Sequence, residues 1–119
     1  MKIALDLDDT ITACPEFFCE MAAGLRCRGH EIFVLTFRRE KSEIVSSLAD
    51  IGFEYDEIVN LPTDFDVLEQ DPFLWKASRC RDLGITVAFD DMTDVVNGFP
   101  ASVFSMLARN PDRGELFYD

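Results

Sequence analysis

Three aspartates and a threonine follow the first apolar run of the chain. Residues 3–7 read IALDL, and Asp6, Asp8 and Asp9 lead into Thr10. Such a run is typical of a buried strand. Residues two apart in a strand point to the same face, so we expect Asp6 and Asp8 to share a face unless the chain turns at the strand end. Like charges beside a core strand are costly without a cation, so the group indicates either a cation site or a solvated acidic loop.

Alternating strand-like and helix-like segments must position these residues. The predicted strands cover residues 3–7, 31–36, 55–61, 85–89 and 102–107. The predicted helices cover residues 15–28, 40–51 and 72–83, with a short turn or helix at 93–97. This alternation favours right-handed crossovers and a parallel sheet with helices on both faces. We therefore predict a single α/β domain over residues 1–119, a Rossmann-like three-layer sandwich around a mainly parallel five-stranded sheet. The tail, residues 108–119, has no assignable pattern.

Helical spacing also predicts which side chains the helices bury. The second helix presents Ile44, Val45, Leu48 and Ile51 as its apolar face, and the third presents Leu74, Ala77, Cys80 and Leu83. Glycines at positions 52 and 84 end these two helices in the predicted pattern. Both helices are thus expected to pack against the sheet through one side.

Polar residues gather where three of the predicted strands end. The first strand ends in Asp6-Leu7-Asp8, the second in Thr36-Phe37-Arg38 and the fourth in Asp90-Asp91. In open α/β sheets, ligands bind beyond the carboxyl ends of the strands. The strand bodies are apolar by contrast, so the sequence predicts a functional site at this edge of the sheet.

Composition narrows the classes of partner and compartment. The chain has 119 residues, 48% of them hydrophobic, and a net charge of -12. A nucleic-acid-binding protein would be expected to carry a basic face, so we expect no nucleic acid partner. The apolar runs are strand-sized, so we expect no membrane span. The four cysteines lack metal-binding spacing and no secretory segment opens the sequence, which indicates reduced thiols in a cytoplasmic protein.

The residues at the strand ends resemble the four short motifs of the haloacid dehalogenase-like (HAD) superfamily, in the same order. DLDDT at residues 6–10 resembles the first motif, DxDx[TV], and VLT at 34–36 resembles the second. Lys76 resembles the third, a lysine opening the helix before the fourth strand, and FDDMTD at 89–94 resembles the acidic fourth. The four motifs are distributed over residues 2–107, but few residues match. The resemblance is specific because all four motifs occur in the same order.

The resemblance implies a Mg²⁺-dependent phosphomonoester hydrolase. Asp6 would attack phosphorus and become an aspartyl phosphate, while Asp8 would protonate the leaving oxygen and then activate water. Mg²⁺ would be held by Asp6, the backbone carbonyl of Asp8 and Asp91, with Asp90 close by. Either Asp90 or Asp91 can be the direct ligand on the sequence alone, and we favour Asp91.

Three further residues complete the site that the resemblance implies. Thr36 would hydrogen-bond a phosphoryl oxygen, and Lys76 would pair with Asp6 and the phosphate. Arg38 would clamp a substrate phosphate or carboxylate. Simpler interpretations stay open, in which Thr36 only ends a strand and Lys76 and Arg38 are solvated surface residues. A lysine early in a helix opposes the macrodipole, which indicates anionic neighbours around Lys76.

Members of this superfamily usually receive specificity from a cap domain inserted at one of two places. Here residues 11–14 and the acidic loop 61–72 are too short for a folded domain, so we expect no cap. An open site implies a large substrate or closure by that loop or by a second subunit of a homo-oligomer. The acidic loop would repel polyanions, which favours a small phosphorylated metabolite or nucleotide.

Two other functions remain as alternatives. A receiver-like signalling domain has a similar size, but it needs a phosphoacceptor aspartate after the third strand and a lysine after the fifth. Those strands end here in Asn60-Leu61-Pro62 and in Leu107-Ala108-Arg109. A catalytically silent HAD-fold binding protein is the second alternative, although no motif residue is missing. We therefore favour the hydrolase.

Overall fold

The computed structural model describes residues 1–110, so most of the unassigned tail lies outside the described residues. The strands are β1 (Lys2–Leu5), β2 (Glu31–Thr36), β3 (Glu57–Asn60), β4 (Val87–Asp90) and β5 (Phe104–Leu107). The helices are α1 (Pro15–Cys27), α2 (Lys41–Ile51), α3 (Pro72–Leu83) and α4 (Thr93–Gly98). A kinked turn, Leu7–Ile11, connects β1 to the segment before α1. The described elements follow one another in the order that the sequence predicts.

The five strands form one sheet in the order β3-β2-β1-β4-β5, and every neighbouring pair is parallel. The predicted α/β fold with a five-stranded parallel sheet is therefore confirmed. From β1 the chain winds outward to β3, then returns to the other side of β1 with β4. This reversal places a crevice beyond the carboxyl ends of β1 and β4, where ligands bind in such sheets.

Two apolar clusters cover the sheet. One joins alternate residues of β1 and β2 to α1 and α2; its fully buried members include Ile3, Leu5, Ile32, Val34, Phe18, Ala22, Ile44 and Leu48. The other joins the intervening strand residues to α3; its members include Ala4, Phe33, Leu35, Val59, Cys80 and Ala88. Successive side chains of a strand point to opposite faces, so the helices pack on both faces of the sheet.

Local sequence signals explain the helix boundaries. Pro15 and Pro72 stand at the first helical position of α1 and α3, where the missing N–H costs nothing. The Asp71 carboxylate accepts a 2.8 Å hydrogen bond from the Phe73 N–H and so caps α3. Gly52 and Gly84 follow α2 and α3 in the left-handed region, with φ of 70° and 72°.

The buried faces of two helices differ from the prediction at single residues. Val45 on α2 and Leu74 on α3 are exposed, although the helical spacing had placed them on the packed side. On α3 the sheet side instead takes Lys76, which is fully buried together with Ala77 and Cys80. The physical reason is an ionic one, because the Lys76 ammonium meets carboxylates at the sheet edge.

None of the helices within residues 1–110 is long and apolar enough to cross a membrane.

Candidate functional site

The kinked turn after β1 separates the first two aspartates. The strand ends at Leu5, and the chain then passes through Asp8 in an extended conformation and Asp9 at φ 64°. Aspartate is among the few non-glycine residues that adopt the left-handed region readily. The Asp9 N–H donates to the Thr12 hydroxyl at 2.9 Å, which holds the turn. Asp6 and Asp8 therefore do not share one face, and they have different partners.

Asp6 lies at the carboxyl end of β1 and is buried. Its N–H donates to the Phe89 carbonyl of β4 at 3.1 Å, which extends the pairing of the two strands beyond β1. One carboxylate oxygen accepts from the Lys76 ammonium at 2.9 Å, and the other accepts from the Thr10 hydroxyl at 3.1 Å. Two hydrogen bonds thus fix the orientation of this carboxylate in the crevice.

Lys76 is the buried cation of the site, with a side chain only 1% exposed. Its ammonium donates to Asp6 at 2.9 Å and to Asp90 at 2.6 Å. It also lies 4.3 Å from the centre of the Phe37 ring, within the range of a cation–π contact. Burial disfavours the ammonium, but the two carboxylates outweigh it and raise the pKa of Lys76 above its ordinary value. The sequence left open a solvated Lys76; the structure buries it.

Three buried carboxylates come together at the ends of β1 and β4. Oxygen atoms of Asp6, Asp90 and Asp91 all lie within 4.8 Å of one another. We refer to these residues as the carboxylate cluster. A second oxygen of Asp90 accepts from the Met92 N–H at 3.0 Å, which fixes the start of the segment before α4. Three carboxylates gathered in this way supply oxygen donors of the kind that coordinate a divalent cation.

Burial and the neighbouring charges both act on the ionisation of Asp6. The pKa of Asp6 is raised well above its ordinary value, first by burial and then by the neighbouring Asp90 and Asp91 carboxyl groups, while Lys76 opposes the rise. A divalent cation would lower the pKa of Asp6, because it stabilises the ionised form of every carboxylate around it. The cluster contains oxygen donors alone, which suits a hard cation such as Mg²⁺.

Thr36, Arg38 and Asp8 form a second polar group beside the cluster. Thr36 is the last residue of β2 and is buried, and its hydroxyl accepts from the Arg38 N–H at 3.1 Å. The Arg38 guanidinium donates to the two oxygens of the Asp8 carboxylate at 2.8 and 2.6 Å. The Asp8 side chain is thus directed to Arg38, and it is not part of the carboxylate cluster.

Two residues next to the catalytic candidates received no role in the sequence analysis. The Thr10 hydroxyl donates a hydrogen bond to Asp6. The place of Thr10 in the DxDxT pattern, four residues after Asp6, is the sequence feature that could have predicted this contact. Phe37 contacts Lys76 across the chain, and no local pattern predicts such a pair. The Phe37 ring also packs on Phe73 and Trp75, at 5.9 and 6.3 Å between ring centres. Trp75 therefore packs within the domain, against the wall of the site.

The arrangement combines an oriented, buried carboxylate, a buried ammonium and further carboxylates at the crevice of a parallel sheet. Such a set can bind a cation together with an anionic ligand and can present a carboxylate oxygen as a nucleophile. Comparison of the chain with protein-family models, with curated proteins and with solved structures finds no match.

Proposed function

We propose that this protein is a Mg²⁺-dependent phosphomonoester hydrolase of the HAD type, acting through an aspartyl phosphate on a small phosphorylated metabolite or nucleotide. The observation that carries the proposal is the Asp6 carboxylate, buried and held by Lys76 at 2.9 Å inside the carboxylate cluster. A carboxylate is a weak nucleophile, so it needs fixed orientation and a site that neutralises phosphoryl charge. The Lys76 ammonium and a bound cation would provide that neutralisation.

The donor set of the cluster fits Mg²⁺. Asp6, Asp91 and the backbone carbonyl of Asp8 would hold the ion, which when bound neutralises charge on the phosphoryl oxygens. Lys76 binds one oxygen of Asp90 at 2.6 Å and the Met92 N–H binds the other at 3.0 Å. Asp90 would then orient Lys76.

In the first half-reaction an oxygen of Asp6 forms a bond to phosphorus and the bond from phosphorus to the leaving oxygen breaks. The leaving oxygen takes a proton from Asp8, so the alcohol departs neutral. Lys76 and the Thr36 hydroxyl would donate hydrogen bonds to phosphoryl oxygens, where negative charge spreads in the transition state. Thr10 and Lys76 keep the attacking carboxylate from rotating.

In the second half-reaction a water molecule attacks the phosphorus of the aspartyl phosphate. Asp8 now accepts a proton from that water, the bond from phosphorus to the Asp6 oxygen breaks, and inorganic phosphate leaves. Asp6 returns to a carboxylate and Asp8 to its protonated form, so the cycle closes. Both roles require the Asp8 side chain to leave the contacts with Arg38 that it makes in the described state.

The alternatives are less well supported. A receiver-like domain would need an aspartate at the end of β3 and a lysine at the end of β5, where the strands end at Asn60 and Leu107. A silent binding protein is the weaker alternative because no motif residue is missing. We also propose a cytoplasmic location, which the four free cysteines favour, since thiols persist in reducing compartments.

The test separates the two aspartates of the first motif. With an activated aryl phosphate and Mg²⁺, Asp6→Asn should form no phosphoenzyme in single-turnover trapping followed by mass spectrometry of the intact protein. Asp8→Asn should form it, because a good leaving group needs little protonation, and should hydrolyse it roughly 10²–10⁴-fold more slowly than the wild type.

Asp50→Asn, at an exposed position near the end of α2, is the matched control and should behave as the wild type. A phosphorylated Asp6→Asn variant, or an Asp8→Asn variant with full activity, would exclude the proposed roles. Absence of any Mg²⁺-dependent turnover by the wild type across a panel of phosphomonoesters would exclude the function itself.

A further inference from the structure

Asp8, to which the proposed mechanism assigns proton transfer, forms an ion pair with Arg38. The guanidinium Nε donates to one Asp8 oxygen at 2.8 Å and its Nη2 donates to the other at 2.6 Å. This is a bidentate arrangement, the strongest geometry between arginine and a carboxylate. While it persists, both Asp8 oxygens are engaged and neither is available to a leaving group.

Arg38 keeps its place by contacts that do not involve Asp8. Its Nη1 donates to the Ser47 hydroxyl of α2 at 3.0 Å, and its backbone N–H donates to the Thr36 hydroxyl at 3.1 Å. If Asp8 moved away, the Ser47 contact would still hold the guanidinium, and its Nε and Nη2 donors would be open to another pair of anionic oxygens.

The pair is partly open to solvent. The Arg38 and Asp8 side chains are 32% and 49% exposed, so water screens their attraction more than it screens the buried pairs of Lys76. The location of the pair points to a role in the site, because Arg38 lies beside Thr36 and Asp8 lies in the turn that follows Asp6. Hydrogen bonding to Asp8 is the main cause that raises the pKa of Arg38 above its ordinary value; burial opposes the rise, and the charges of Asp8, Glu43 and Asp6 add to it.

We propose that Arg38 exchanges the Asp8 carboxylate for a second anionic group of the substrate, a carboxylate or a second phosphate, and thereby releases Asp8 for proton transfer. The inference rests on the proposed function and names its substrate class, phosphomonoesters that carry another anion. The exchange conserves charge at Arg38, since one anion replaces another. Released Asp8 takes a proton from solvent and then serves the leaving oxygen. Esters without a second anion must break the ion pair with no replacement, so they react more slowly.

The experiment uses matched aryl esters with the wild-type protein and Mg²⁺. Phenyl phosphate has no second anion, carboxyphenyl phosphates add a carboxylate, and a benzene bisphosphate adds a phosphate. In Arg38→Met, kcat/KM for an ester with the matching anion should fall roughly 10- to 100-fold, because a charge-assisted bidentate contact is lost. For phenyl phosphate it should stay level or rise by up to roughly fivefold, since Asp8 is no longer held.

Two variants control this comparison. Arg39→Met removes the neighbouring charge and should leave the ratio between esters unchanged, because the Arg39 guanidinium donates to the carbonyls of Pro62 and Thr63, at 3.3 and 3.0 Å, and not to Asp8. Arg38→Lys keeps the charge without the fork and should restore only part of the preference. Whether the carboxyphenyl ester or the bisphosphate loses more in Arg38→Met identifies the second anion, and either outcome supports the exchange.

A second measurement does not depend on turnover. The Nε–H resonance of Arg38 should be lost or shifted in Asp8→Asn. In the wild type it should shift when a carboxyphenylphosphonate or a phosphonate bearing a second phosphonate group binds, and phenylphosphonate should leave it in place. If no ester is hydrolysed but the matching phosphonate moves this resonance, the proposed function fails and the exchange stands.

Two results would overturn the exchange. One is a kcat/KM ratio between the esters that Arg38→Met leaves unchanged. The other is an equal loss on phenyl phosphate and on the doubly anionic esters, which would mean that Arg38 binds the reacting phosphate.

Discussion

Replacement of Lys76 by methionine would test whether the buried ammonium holds the carboxylate cluster together. Methionine has a similar length and no charge, so Lys76→Met removes the ion pairs to Asp6 and Asp90 with little change in packing volume. Two buried carboxyl groups then lose the cation that lies 2.9 and 2.6 Å away. Removal of one partner of a buried ion pair costs about 3–5 kcal/mol, because it leaves an uncompensated charge.

The expected loss is large for a chain of this size. With 119 residues and about 2.1 cal/mol/K of unfolding entropy per residue, each kcal/mol corresponds to about 4 °C in Tm. Lys76→Met should therefore lower Tm by about 12–20 °C at neutral pH. Lys76→Met with Asp90→Asn should lose less than the single variant, since the second change removes one of the carboxylates that the first leaves without its cation.

Thermal unfolding followed by circular dichroism, in buffer with a chelator, measures both effects, and urea unfolding gives the free energies directly. Lys41→Met, at an exposed position on α2, is the matched control and should change stability by less than about 0.5 kcal/mol. A loss below about 1 kcal/mol in Lys76→Met would refute the reasoning. So would a double variant whose loss equals or exceeds the sum of the single losses, because the two sites would then not be coupled.

Three further predictions concern the cluster, a buried thiol and a helix end. Millimolar Mg²⁺ should raise the Tm of the wild type, by an amount equivalent to about 2.7 kcal/mol when the ion is present at a hundred times its Kd. Asp91→Ala should abolish this rise in Tm, and an equal rise in both proteins would contradict the proposed metal site. Burial raises the pKa of Cys80 to about 11, so at pH 8 a thiol reagent should label the exposed Cys14 and Cys27 but should label Cys80 only after unfolding. Because the folded pKa exceeds that of the unfolded chain, the stabilising contribution of Cys80 is complete below about pH 9 and should decline toward pH 11 in denaturation curves; labelling of native Cys80 at pH 8 would disagree. Asp71→Ala should cost about 1 kcal/mol in urea unfolding, through loss of the hydrogen bond from the Phe73 N–H, and a neutral result would mean that this cap does not stabilise α3.

Much of the fold could be predicted from the sequence, because its signals are local. The second predicted strand, residues 31–36, coincides with β2, since an unbroken apolar run specifies a strand buried on both faces. The start of α3 after Asp71 and its end at Gly84 follow from capping preferences that act within one turn. The gathering of Asp6, Thr36 and Asp90 at one edge follows from the parallel order of the strands, which short crossovers impose.

Other features depend on contacts between residues far apart in the chain. Asp8 does not share a face with Asp6 because the strand ends at Leu5 and because Arg38, thirty residues later, binds the Asp8 carboxylate. Alternation along a strand, which predicted a shared face, ends where the strand ends. No sequence pattern pairs Asp8 with Arg38, since each also fits a solvated surface position.

The burial of Lys76 likewise depends partly on a local sequence signal and partly on contacts with residues far away in the chain. The sequence determined that a lysine stands early in a helix where its charge opposes the dipole, and so required anionic neighbours. Only the tertiary structure decided that Asp6 and Asp90 are those neighbours and that Phe37 covers the ammonium. The reason is energetic: an ammonium enters a protein interior only when carboxylates from other elements offset its desolvation, and the packing of α3 against β1 and β4 is what brings them together.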